Sequence, residues 1–345
     1  MIVKLAKAVN ITQIQRLLIT YCFSLVFLAY ACFAENIPDI TNYQMHYETL
    51  SMHKIEWFYW LLMKLSKDCG LSFFQFRAVC YLFSIILLNI SISKFVKNKF
   101  IVYLLCLIYP FFIDIIQTRN FMAMSLLTYG ITCLTNIRNK YSKIYFTLVI
   151  VLAAGIQAVS YFYFALLIVD NKPRKHNYMT LLGLVMFFTF GCVLPFQDII
   201  ITLLSKHIND YRITYLDYKT NFGFYLFVML NFGHSILMIW AVKLLRTTKI
   251  YCDKKFFSFI NIMTLASIVL FMIVPLYLYT TLFYRIMRNI LPLSHVMCYM
   301  VIKYTKSSFD KMFFILCYVL FITFVGVTQF YIPHYSAFIN ILNSI

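Results

Sequence analysis

Apolar residues in this chain run in long blocks, and charged residues fall between them. Ten blocks stand out, at 17–34, 73–91, 100–116, 121–134, 144–169, 179–194, 222–242, 256–279, 286–302 and 312–329. A helix needs about 20 apolar residues to cross the hydrocarbon core of a bilayer. None of the blocks shows the period-2 alternation of a membrane β-barrel. The pattern predicts an all-α polytopic membrane protein, one integral membrane domain over 1–345. Two outer loops are long, about 35–72 and 195–221, and the first holds an apolar stretch at 55–65 that reads as an interfacial helix. The other connections are short, and neither a soluble domain nor an internal repeat is legible.

Composition fits a lipid solvent. Apolar residues make up 62% of the chain and charged residues 12%, with a mean hydropathy of +0.80. Soluble domains run at about half apolar and a quarter charged, and a chain of this length could not hide the excess in water. The net charge is +18. A basic chain raises the question of nucleic acid, but these cations sit in short clusters between apolar blocks and form no stripe on a polar domain. The ten cysteines include no CxxC pair and fall mostly inside apolar blocks, so they read as small buried hydrophobes.

The clusters set the orientation by the positive-inside rule. They are Lys4/Lys7/Arg16, Lys94/Lys97/Lys99, Arg138/Lys140/Lys143, Lys172/Arg174/Lys175, Lys243/Arg246/Lys249/Lys254/Lys255 and Lys303/Lys306/Lys311, together 20 of the 30 basic residues. Block 144–169 has a basic cluster on both sides, so it is read as two short helices that turn near Gly155 and return to the cytoplasmic face. That gives 10–11 membrane segments, the N-terminus inside and the C-terminus outside. The first block is long enough to stay as an anchor. The remaining cations, Arg77 among them, then face outward beside nine acidic residues.

Charges at membrane depth are expensive and mark function. Asp114-Ile-Ile-Gln117-Thr-Arg119-Asn120 joins two apolar blocks with almost no loop, which puts Arg119 at a helix start near the outer face. A guanidinium there can bind phosphate bidentately beside backbone donors; the plainer reading is an anchor reaching for headgroups. Tyr284-Arg285-Ile-Met-Arg288 spaces two cations i, i+3, enough for a pyrophosphate. The plainer reading there, a flanking charge, is weakened because this is the wrong side for the positive-inside rule. The first outer loop offers Asp39, Tyr43, Tyr47, Glu56 and Trp57, a sugar-binding palette or simply a solvated loop. Gln157 is a mid-membrane amide, a substrate contact or a helix–helix hydrogen bond. His234 and His295 read as packing residues. No metal-ligand spacing, nucleotide-binding loop or nucleophile elbow is present.

The order of these features resembles the Wzy-type O-antigen and exopolysaccharide polymerases, above all the EpsG-like family. Asp39, Tyr43, Tyr47 and Glu56 look like its first outer loop, and Arg119-Asn120-Phe-Met-Ala123 like its helix-opening arginine. Ala153-Ala154-Gly155-Ile-Gln157-Ala158 looks like its Ala-rich stretch, with Gln157 where histidine is usual, and Tyr284-Arg285 like its late Tyr-Arg pair. The resemblance implies a GT-C-like architecture in the bacterial inner membrane and glycosyl transfer at the outer leaflet. A growing glycan would pass from undecaprenyl pyrophosphate to a lipid-linked repeat unit, with no cofactor and no metal. Arg119 and Arg285, with Arg288 or Arg212, would meet the pyrophosphate charge; Asp39, Glu56 or Asp114 would take the acceptor proton; Tyr43, Tyr47, Asn120 and Gln157 would hold substrate. Implied partners are the lipid-linked oligosaccharide, membrane lipid and a chain-length regulator, with no nucleic acid. The rival classes are a lipid-linked oligosaccharide flippase, which would show internal repeats, and a membrane O-acyltransferase acting on sugars, which would cluster a histidine with arginine and serine.

Overall fold

The computed structural model describes residues 39–51, 55–136, 139–168, 222–278 and 281–331, with Ser24, Leu28, Gly183 and Pro333. Among these residues the elements are all helical. Blocks 17–34 and 179–194, the outer loop 195–221 and Arg212 lie outside the described residues.

Two helices, α1 (Ile40–Thr49) and α2 (Trp57–Asp68), occupy the segment that the sequence reads as the first outer loop. Next come α3 (Phe73–Ser93), α4 (Phe100–Ile108), α5 (Phe111–Ile116), α6 (Thr118–Leu134) and α7 (Ser142–Ala154). A tight 3-10 segment, Ala158–Ile168, follows α7. Then come α8 (Phe222–Arg246), α9 (Lys254–Val269) with a 3-10 continuation Leu270–Leu278, α10 (Tyr284–Asn289), α11 (Leu291–Tyr304) and α12 (Ser308–Gly326).

Among the described residues four helices are long and apolar enough to cross a bilayer: Phe73–Ser93, Gly223–Arg246, Lys254–Tyr277 and Ser308–Tyr331. The 21 residues of α3 span about 32 Å at 1.5 Å per residue, close to the hydrocarbon thickness. A capping box fixes its start: Ser72 Oγ accepts from the Gln75 N–H, and Gln75 Oε1 accepts from the Ser72 N–H at 2.8 Å. Single side chains cap two other starts, Asp253 for α9 and Ser307 for α12.

The radial pattern is that of a protein in lipid. On α3 the exposed side chains are Val79, Leu82, Phe83, Ile86 and Ile90, while Arg77, Tyr81, Ser84 and Ser91 are buried. On α8 the exposed stripe is Tyr225, Met229, Phe232, Ile236 and Ile239, with Asn231, His234 and Ser235 inside. A helix that turns its polar groups inward and its apolar face outward is solvated by lipid. Helix α11 is buried along its length from Leu291 to Val301 and forms the centre of the bundle.

Among the described residues, apolar blocks 100–116 and 144–169 break, and block 286–302 is interrupted at Ile290. Block 100–116 is two helices, because Pro110 has no N–H and pushes Tyr109 to extended backbone (φ −167°, ψ 135°). The carbonyl that Tyr109 frees is taken by His295 Nε2 at 3.0 Å, whose Nδ1 faces the Tyr318 hydroxyl at 2.8 Å. Block 144–169 breaks at Gly155, as its sequence predicts, and the 3-10 segment beyond packs against α9 and α10.

Three basic clusters gather at one end. The Lys255 ammonium donates to the Lys94 carbonyl, the rings of Phe95 and Phe259 stack at 4.2 Å, and Phe256 lies 6.4 Å from Tyr304. The first outer loop and the breaks at Gln117 and Gly155 sit at the other end.

Candidate functional site

Helix breaks expose backbone polar groups, and at membrane depth these must be satisfied from elsewhere in the protein. Gln117 (φ −105°, ψ 70°) interrupts the chain between α5 and α6. Arg77 and Tyr81 of α3 answer it. Arg77 Nη2 donates to the Ile115 carbonyl at 3.0 Å, and the Tyr81 hydroxyl donates to the same carbonyl at 2.7 Å while lying 3.0 Å from the Thr118 hydroxyl. The sequence places Arg77 among outward-facing charges; in the fold it is 1% exposed and braces this break.

The break lets α6 begin with Arg119 in its first turn. Arg119 forms an ion pair with Glu56, its Nε lies 3.4 Å from the Ile156 carbonyl, and its guanidinium covers the Tyr59 ring at 5.6 Å. Glu56 is the residue that opens α2, and its Oε1 accepts from the Ala158 N–H at 3.3 Å. The first amides of α2 find their acceptor in the second break: the N–H groups of Phe58 and Tyr59 both donate to the Gly155 carbonyl, at 2.9 and 3.0 Å. Glycine is required there by contact, since a Cβ would stand 2.7 Å from Phe58 and from the Trp57 ring. The starts of α2 and α6 and the end of α7 are thus pinned around one half-buried ion pair.

The short helix α10 closes the site and gives its two arginines different surroundings. Arg288 is 2% exposed. Its Nη2 donates to Gln117 Oε1 at 2.6 Å, and its Nε stands 3.9 Å from Asp114 Oδ1. The Asn120 amide, turned so that its oxygen faces the guanidinium, accepts from Arg288 Nη2 at 2.5 Å and from Nε at 3.3 Å. Asn120 also lies 3.0 Å from the Asn289 side chain. Arg285 makes no hydrogen bond or ion pair among the described residues. Burial pushes its proton affinity down, Arg288 and Arg119 add like-charge repulsion, and Tyr43 and Asp39 pull the other way.

The remaining candidates divide. Asp39 is exposed, in a left-handed backbone conformation (φ 66°) just ahead of α1, which aspartate tolerates better than most residues. Tyr43 is half-buried beside it. Tyr47 is buried: its ring stacks on Phe76 at 5.3 Å and its hydroxyl donates to the Leu71 carbonyl at 2.6 Å, so it fastens α1 to α3. Gln157 is buried next to the Gly155 turn. His234 meets Ser294 at 2.8 Å, away from any arginine cluster. Sequence reasoning named Arg77 only as an outward-facing charge, passed over Tyr81 and Asn289, and took Gln117 only as part of its segment. Arg77 carried a usable signal, a cation inside an apolar block; the others carried none.

Against known proteins, the model of the family described as the EpsG family matches residues 17–341. No curated protein and no solved structure matches the chain.

Proposed function

Because the chain belongs to the EpsG family, we propose that it is a polysaccharide polymerase, joining lipid-linked glycans at the outer face of the bacterial inner membrane. The growing glycan leaves undecaprenyl pyrophosphate for a sugar hydroxyl of a lipid-linked repeat unit. The anomeric C–O bond to pyrophosphate breaks and the pyrophosphate departs with the electron pair. The acceptor oxygen forms the new glycosidic bond, and its proton passes to a carboxylate.

Arg285 carries this reading. A guanidinium does not shed its proton, so this one holds a charge that burial and two neighbouring arginines make costly, that Asp39 and Tyr43 offset only from a distance, and that no carboxylate among the described residues pairs in direct contact. A pyrophosphate relieves that cost, and more so as charge builds on the leaving oxygen. Arg119 adds positive potential from the start of α6, already offset by Glu56. Arg288 acts through its neighbours: by gripping Gln117 and Asn120 it fixes α10 on α6 and so positions Arg285. For the proton, Asp39 is the carboxylate the geometry favours. It is exposed and lies in the field of Arg285, whereas Glu56 is engaged by Arg119 and Asp114 is enclosed beside Arg288.

The test is surface-glycan profiling of a deletion strain rescued by variants made at normal level. Arg285→Ala is expected to leave single repeat units in place of a ladder, a loss of about 10²–10³ in rate, with partial recovery in Arg285→Lys. A full ladder from Arg285→Ala overturns the reading of Arg285. Repeat units trapped on the inner leaflet in the deletion strain would make the protein a flippase.

A further inference from the structure

At the end of the bundle opposite the arginine site, three helix ends leave a cleft of about 730 Å³. Its walls are Lys94 at the end of α3, Thr132, Thr135 and Asn136 at the end of α6, and Asp253, Lys254 and Lys255 at the start of α9. A second lobe of about 300 Å³ shares Lys94, Thr132 and Asn136 and runs on to Asn139, Tyr145 and Val149 of α7. Among the described residues three lysines therefore line the cleft with one carboxylate, and that carboxylate already caps α9 by accepting from the Lys255 N–H at 2.9 Å. Two of the three ammoniums are held in place. Lys94 Nζ donates to Thr132 Oγ1 at 2.9 Å and stands 4.9 Å from the centre of the Tyr129 ring, and Lys255 donates to the Lys94 carbonyl.

The surroundings say what kind of anion fits. Helix α7, which walls the second lobe, exposes Tyr141, Ile144, Tyr145, Leu148 and Val151 on its outer face. Polar, cationic walls thus pass directly into an apolar, lipid-facing stripe. A free phosphate would use the first feature and ignore the second. A molecule with a phosphodiester at one end and acyl chains at the other uses both, since a headgroup in the cleft lets its chains lie along α7.

We propose that this cleft is a binding site for an anionic phospholipid of the leaflet at the basic end, its phosphate seated among Lys94, Lys254 and Lys255 and its acyl chains against α7. The site is separate from the glycan chemistry and does not depend on it. Clusters of lysine at a membrane surface attract anionic lipid generally, at about fivefold in affinity per lysine; the cleft adds a fixed seat, which makes retention selective and stoichiometric.

The experiment uses the full chain purified in mild detergent and then placed in nanodiscs. Lipid extraction with mass spectrometry is expected to find phosphatidylglycerol or cardiolipin retained at about one per chain, with phosphatidylethanolamine washed away. Lys94→Gln and Lys254→Gln are each expected to lower retention about fivefold, and together more. Lys64→Gln with Lys67→Gln, on the opposite end, is the control and is expected to change nothing. Thermal unfolding supplies a second readout: phosphatidylglycerol nanodiscs are expected to raise Tm over phosphatidylcholine ones in the parent chain and much less in the double variant, which keeps the test informative if that variant is made poorly. Millimolar inorganic phosphate in detergent is expected to give no such shift. An equal shift from phosphate, retention unchanged by the lysine substitutions, or equal loss from the Lys64/Lys67 control would each overturn the proposal.

Discussion

At the scale of the residue, the buried arginines take two kinds of work. Arg77 and Arg288 are hydrogen-bonded: one feeds a carbonyl freed by a helix break, the other Gln117 and Asn120 beside Asp114. Removing Arg77 takes away a charged hydrogen bond, worth about 1.5–3 kcal/mol, and leaves the Ile115 carbonyl to Tyr81 alone. Arg77→Ala is therefore expected to lower Tm and steady-state level together, as measured by thermal unfolding in detergent and by immunoblot. Arg285 is the opposite case. With no hydrogen-bonded partner to strand among the described residues, Arg285→Ala is expected to leave Tm unchanged or raised while polymer is lost. A Tm drop as large as that of Arg77→Ala would place Arg285 among the structural arginines. The sequence marks Arg119, Arg285 and Arg288 alike; only their neighbours separate them.

At the scale of the element, the site exists because helices stop. The stop at Pro110 follows from the residue itself, and the stop at Gly155 is legible as a glycine inside an apolar block flanked by basic clusters. The stop at Gln117 has no such signature in the sequence. It depends on Arg77 and Tyr81, about forty residues upstream, to satisfy the carbonyls it frees. Gly155 also accepts the second and third amides of α2, so it couples α7 to the helix that presents Glu56. Gly155→Ala must move α2 or the turn, because its methyl would meet Phe58 and Trp57 at 2.7 Å. We expect a loss of about 1–3 kcal/mol together with a shortened glycan ladder. An unchanged ladder and Tm would mean that α2 shifts freely over the turn.

At the scale of the whole molecule, polarity runs from end to end. Cys69 closes α2 at the outer-loop end, Cys252 precedes α9 at the basic end, and both are exposed. In variants that keep a single cysteine, an impermeant maleimide is expected to label Cys69 in intact cells and Cys252 only after permeabilisation. The reverse labelling would invert the orientation drawn from the basic clusters and would place the arginine site on the cytoplasmic side. The lipid-facing stripes give a further expectation. Leu316→Lys, midway along an exposed face of α12, is expected to cost about 2.5–3.5 kcal/mol in an insertion assay.

The blocks of apolar residues, their lengths and the clusters between them by themselves determined that this chain is a multi-pass helical membrane protein, because the cost of an unsatisfied backbone in hydrocarbon leaves no other fold for such a pattern. The short motifs around Asp39, Arg119, Gly155 and Arg285 were enough to point to its family. What only the tertiary structure decided is which charges are spent and which are held in reserve. Glu56 meets Arg119 across 63 positions, and Gln117 meets Arg288 across 171. A guanidinium's role is set by whether an acceptor lies within hydrogen-bond reach, and that distance is fixed by how the helices pack.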